Sequence, residues 1–204
     1  KEYVNQALVY ITLHEVGHTL GLRHNFKSSS FRDYGSIQDM SETSKNGLTG
    51  SVMDYIPVNL APRKAGRQGE YFQSSVGPYD KWVIQYAYTP IAADSPAAEK
   101  TELNRIASEV ARVGLAYGTD EDSFGGSPRG MDPLVNMWDL SHDSFAYYRN
   151  NADRYRELVG TMEARFSEPG TRYQRLRSVY GTAVNQMFPA AVNISKYVGG
   201  ISHN

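Results

Sequence analysis

Between Val4 and Leu22 the apolar positions Val4, Leu8, Ile11 and Val16 fall near helical spacing, with no proline among them. That pattern predicts a helix running directly into the stretch HEVGHTLGLRHN. From Asn25 to Arg67 periodicity is lost and Ser, Gly, Asn and Asp dominate, which predicts an ordered but irregular segment. Regularity returns in GPYDKWVIQYAY, where Tyr79, Trp82, Val83 and Tyr86 share one helical face behind Pro78 at a first-turn position. Leu103, Ile106, Val110 and Val113 predict a further helix over 99–115. The Ala/Pro-rich segment 91–98 separates the two, so we place a boundary there, with one unit over residues 1–92 and a helical carboxyl-terminal subdomain over 93–204. An acidic, glycine-bearing loop follows Tyr117, and helices are predicted over 144–166 and 171–187. The expected fold is mainly α, with any sheet small.

Composition narrows the function. With 40% hydrophobic and 21% charged residues in 204, the chain buries a real core. A net charge of −1, from interspersed acids and bases, gives no electrostatic footprint for nucleic acid, and no apolar run is long enough to span a membrane. The first residues lack the basic start and small-residue cleavage site of a signal peptide. Cysteine is absent, so any site for a borderline-soft metal ion has to be built from imidazole and carboxylate. Most of the fifteen tyrosines are expected in the core.

The histidine-rich segment carries the chemistry. His14 and His18 lie one helical turn apart, so both imidazoles leave the same face and converge on one metal ion. Glu15, one residue on from His14, reaches a water rather than the metal and suits a general base. Gly21 can take the left-handed conformation that ends the helix and brings His24 back as a third ligand. Three neutral ligands leave one zinc position open, where a water has its pKa lowered to about 7. A structural zinc is instead closed by four protein ligands, and no fourth of comparable strength follows at suitable spacing. A bare HExxH arises on ordinary helices by chance, whereas three histidines, a glutamate and a glycine fixed within eleven residues do not.

The segment resembles the metzincin clan of zinc endopeptidases, whose pattern HExxHxxGxxH is matched at His14, Glu15, His18, Gly21 and His24. SVMDY at 51–55 is similar to the methionine turn of that clan, in the SxMxY form of astacins and serralysins. The resemblance implies Zn2+ as cofactor and Met53 packed under the site as support. It also implies a catalytic role for Tyr55, whose phenol stabilises the oxyanion of the tetrahedral intermediate. Asp80 stands at the position of a structural acid, with packing and capping as its implied role. The run 13–89, together with the later TDED, MDP and DLSHD segments, looks most like the bacterial Met-zincins, large exported zinc-dependent metalloproteases. That likeness implies a protein or peptide substrate and a periplasmic or extracellular location. Metzincin-like enzymes hold substrate on a sheet that precedes the active-site helix. The expectation is therefore a catalytic fragment whose partner is the remainder of the same polypeptide, amino-terminal to residue 1.

Other features have plainer explanations. Asp120, Glu121, Asp122, Asp132 and Asp139 match no EF-hand spacing, and calcium is set against solvated turns and helix caps, which account for them better. His142 and His203 stand far from the motif and suit surface or capping positions. Arg172, Arg175 and Arg177 suit a solvated helix face. The functional expectation is a zinc metalloendopeptidase. Its rival is a zinc-stabilised helical binding module without catalysis of its own.

Overall fold

The computed structural model describes residues 1–123, 130–167, 170 and 172–202. Among these the regular structure is entirely helical: α1 (Glu2–Thr19), α2 (Met40–Asn46), α3 (Pro78–Tyr88), α4 (Lys100–Ala107), α5 (Asp120–Ser123), α6 (Ser144–Phe166), α7 (Gln174–Asn185) and α8 (Phe188–Ser195), with short 3-10 turns between them. α1, α3, α6 and α7 stand where the hydrophobic spacing predicts them.

Local chemistry explains most of the rest. α2 interrupts the aperiodic segment because Asp39 caps it, its carboxylate accepting from Ser41 N at 3.0 Å. α4 stops at Ala107, short of the predicted Leu115, and passes through a 3-10 turn to Gly114 at φ 89°. Ile106 is therefore buried while Val110 and Val113 face solvent. Asp143 caps α6 by accepting from Ala146 N at 2.9 Å. α8, beyond the end of the predicted helices, begins with Pro189 in its first turn and packs on α6.

Tyr10 of α1, Ile37, Leu48, Ile56, Leu140 and the α6 pair Tyr147 and Tyr148 form one buried cluster. Burying each such side chain contributes roughly 1.5–3 kcal/mol. The cluster joins α1 to α6, and backbone bonds such as Phe26 N to Gly118 O at 2.7 Å also cross the position at residue 92. Only Tyr10, Tyr79, Tyr147 and Tyr148 of the tyrosines are buried. Tyr3, Tyr86, Tyr88, Tyr117, Tyr173, Tyr180 and Tyr197 are exposed, which corrects the expectation that most of the tyrosines lie in the core: a phenol is easily left half-wet.

The face that α1 buries also departs from the pattern. Gln6, Tyr10, His14 and Gly17 point inward, whereas Val4, Leu8, Ile11 and Val16 are exposed. Hydrogen bonds hold the inward face alongside the apolar packing of Tyr10. Gln6 Oε1 accepts from Tyr71 N at 2.6 Å. The Tyr10 hydroxyl donates to Asp54 O and accepts from Ile56 N.

Candidate metal centre

α1 delivers the first two histidines, and its ending delivers the third. Leu22 N reaches back to Gly17 O and Gly21 N to His18 O, the paired bonds of a Schellman cap, with Gly21 at φ 84°. A side chain at position 21 would meet the penalty of the left-handed region. The turn carries His24 round until its ring centroid lies 4.9 Å from that of His18 and 5.4 Å from that of His14.

The hydrogen bonds on the far sides of the rings decide which nitrogens face inward. His14 Nδ1 lies 2.8 Å from Val52 O, His18 Nδ1 2.9 Å from Leu22 O, and His24 Nδ1 2.9 Å from Asp120 Oδ1. Each of those oxygens can only accept at this contact, so Nδ1 carries the proton and the neutral ring leaves Nε2 bare. The ligand atoms of the three histidines all lie within 4.8 Å of one another. His14 Nε2 and His18 Nε2 are 3.1 Å apart, and His24 Nε2 is buried without a hydrogen-bond partner. Two lone pairs facing each other at that distance repel unless a cation lies between them. Zn–N bonds of 2.0–2.1 Å in tetrahedral geometry place such nitrogens about 3.3 Å apart, so these residues fit zinc. Burial holds the pKa of His14 below its ordinary value, with the neighbouring imidazoles adding to the effect, and keeps it in the ligating form.

Residues 49–56 form the floor. The buried Asp80 near the start of α3 accepts from Ser51 Oγ at 2.5 Å, Val52 N at 2.9 Å and Gly77 N at 2.8 Å, and Ser51 Oγ in turn accepts from Met53 N at 3.0 Å. This ties the turn to the following helix. It also aims Val52 O at His14. Burial pushes the Asp80 carboxyl up, although these three donors hold it down. Met53 is fully buried against Gly17 of α1. The Tyr55 ring lies beside the histidines, tilted against His14 at 5.3 Å between centroids and edge-on to His24 at 4.6 Å.

Glu15 is exposed beside His14 and borders an apolar pocket of about 270 Å³ walled by Ala7, Ile11, Tyr55, Ile56, Phe72 and Trp138. Two of the surrounding residues escaped the sequence reading. Trp138 has φ 65°, donates its backbone N–H to Tyr55 O at 2.9 Å and stacks on the Tyr55 ring at 5.7 Å. A positive φ in a bulky residue costs roughly 1–3 kcal/mol and persists only where its surroundings impose it. Asp120 was expected in a solvated turn or cap, and instead meets His24. Asp120 stays partly exposed, whereas Asp132 and Asp139 are buried rather than solvated: Asp132 pairs with the buried Lys27 at 2.9 Å, and Asp139 accepts from Asn136. His142 is exposed, as expected, and His203 lies outside the described residues.

A protein-family model described as Met-zincin matches residues 1–204. No curated protein and no solved structure matches the chain. No helix among the described residues is long and apolar enough to cross a membrane.

Proposed function

The chain belongs to the Met-zincin family, and on that premise we propose that it hydrolyses peptide bonds as a zinc-dependent metalloendopeptidase. The observation that carries this reading is the convergence of three bare Nε2 atoms, each fixed by an oxygen acceptor on its Nδ1, with Glu15 beside them at the rim of an apolar pocket. When bound, zinc supplies Lewis acidity for the peptide carbonyl and brings the pKa of a water down to about 7.

The residues of the chain do the remainder. Glu15 accepts a proton from the attacking water as its oxygen bonds to the carbonyl carbon, and delivers that proton to the amine nitrogen as the C–N bond breaks. Tyr55 donates its phenol hydrogen to the carbonyl oxygen as negative charge develops there. Met53, held by the turn that Asp80 fastens, supports α1 from below. The pocket bordered by Ala7, Ile11 and Phe72 receives an apolar substrate side chain beside Glu15. Three histidine ligands, with no fourth beside them among the described residues, favour catalysis over a closed structural zinc.

In this reading the substrate is a protein or peptide, and the location is periplasmic or extracellular. The exposed apolar residues Val4 and Leu8 of α1 take their cover from the remainder of the same polypeptide. The test is Glu15→Gln in the longest natural polypeptide that contains this chain. Zinc content should be retained and peptidase activity lost, and full activity in the variant sinks the proposal.

A further inference from the structure

The three ring hydrogen bonds at the metal centre are not alike. His14 and His18 are held by the backbone carbonyls of Val52 and Leu22, whereas His24 is held by a carboxylate 96 positions away, Asp120 Oδ1 at 2.9 Å. We infer that Asp120 is the positioning residue for the third metal ligand, fixing His24 with Nδ1–H toward the carboxylate and Nε2 toward the metal.

The contact is built from both sides. Asn25 N donates to Met53 O at 3.0 Å, Asn25 Oδ1 accepts from Gly118 N at 3.2 Å and Asn25 Nδ2 donates to Ala116 O at 3.0 Å. The residues just before Asp120 are thus locked to the residue just after His24. The second oxygen of Asp120 accepts from Thr119 Oγ1 at 3.2 Å and lies 3.7 Å from Arg23, which itself makes two bonds to Glu121. Asp120 therefore has one oxygen steered by its neighbours and the other free to accept from His24. A charge-assisted bond of this kind is stronger than one to a neutral carbonyl, and it raises the basicity of the ligating nitrogen. It also makes metal affinity depend on residues 116–120, which lie outside the histidine motif. The inference rests on the zinc reading above.

The test is zinc affinity of the purified chain, measured by competition with a chromophoric chelator, for wild type, Asp120→Asn, Asp120→Ala and Glu121→Gln, with the melting temperature of each metal-free protein alongside. Loss of a carboxylate that orients a ligating histidine weakens binding by about 10–100-fold. That loss is expected for both Asp120 variants, with Glu121→Gln within about twofold of wild type. Zinc affinity unchanged in a folded Asp120→Asn overturns the inference and leaves the zinc site standing. A wild-type chain that binds no zinc overturns both. Imidazole 15N NMR of the zinc-loaded wild type decides the matter even where the variants fail to fold: His24 must show a protonated Nδ1 and a metal-bound Nε2, and the reverse assignment overturns the inference.

Discussion

The sulfur of Met53 occupies the space that a Cβ on Gly17 would need, so the Met53 side chain packs directly on α1 between the two histidine-bearing positions. Gly17→Ala forces the fully buried Met53 to move. Overpacking of this kind costs roughly 1–3 kcal/mol, and a chain of this size loses about 2–4 °C in melting temperature for each kcal/mol. Gly160 in α6 meets nothing within 4 Å, and Gly160→Ala gains helix propensity instead. Calorimetry on the pair should give shifts of opposite sign, and a Gly17→Ala protein as stable as wild type contradicts the close packing.

Tyr55→Phe removes the phenol hydroxyl while keeping the ring against His14, His24 and Trp138. Loss of one oxyanion donor lowers kcat on the order of 100-fold. The expected result in the longer polypeptide is that loss with KM and zinc content little changed. A fall in zinc content would make Tyr55 a ligand rather than a donor.

The sequence announced the histidine motif and four of the helices because their information is local: i and i+4 histidines, a C-terminal glycine, apolar residues at helical spacing. It misread the inward face of α1. Gln6 and Tyr10 are buried there by hydrogen bonds to residues 54, 56, 71 and 72, partners that no periodicity within α1 can reveal. Asp120 escaped for the same reason, since its partner stands 96 residues away and its neighbours Glu121 and Asp122 make it look like a solvated cluster. Trp138 left one faint trace, a bulky residue between Met137 and Asp139 with no helical pattern around it. Nothing in that stretch signals a positive φ. Asp80 was legible only through resemblance, and its three donors explain why an acid belongs there.

Burial pushes the Asp139 carboxyl up to about 7, although the Ser29 hydroxyl and Asn136 amide hold it down. The neighbouring Asp54 is raised well above its ordinary value, chiefly by burial and then by the charge of Asp139. Between about pH 4 and 7 the folded acid keeps a proton that the unfolded acid has released, so this contribution is present below about pH 4 and is lost as pH rises through about 7. Asp139→Asn is neutral throughout. The stability of the metal-free variant relative to wild type should therefore climb by on the order of a few kcal/mol between about pH 4 and 7, then level off. Urea unfolding across that range measures it, and a difference independent of pH contradicts the burial argument.

Ala7 lies on the wall of the apolar pocket beside Glu15. Ala7→Phe fills part of that space, so hydrolysis of peptides with a large apolar side chain should fall relative to peptides with a small one. A pocket of this kind discriminates by about 1–3 kcal/mol per methylene-sized change, or roughly 10–200-fold in kcat/KM. Equal effects on both peptide sets would show that the pocket does not receive the substrate side chain.

The most direct measurement is the metal content of the purified chain beside His18→Ala. Wild type should hold close to one zinc per chain, strongly depleted in the variant, because the substitution removes one of three converging Nε2 atoms. A wild-type chain that stays metal-free in the presence of zinc, or a variant that retains zinc at the wild-type level, contradicts the zinc site on which every catalytic statement depends.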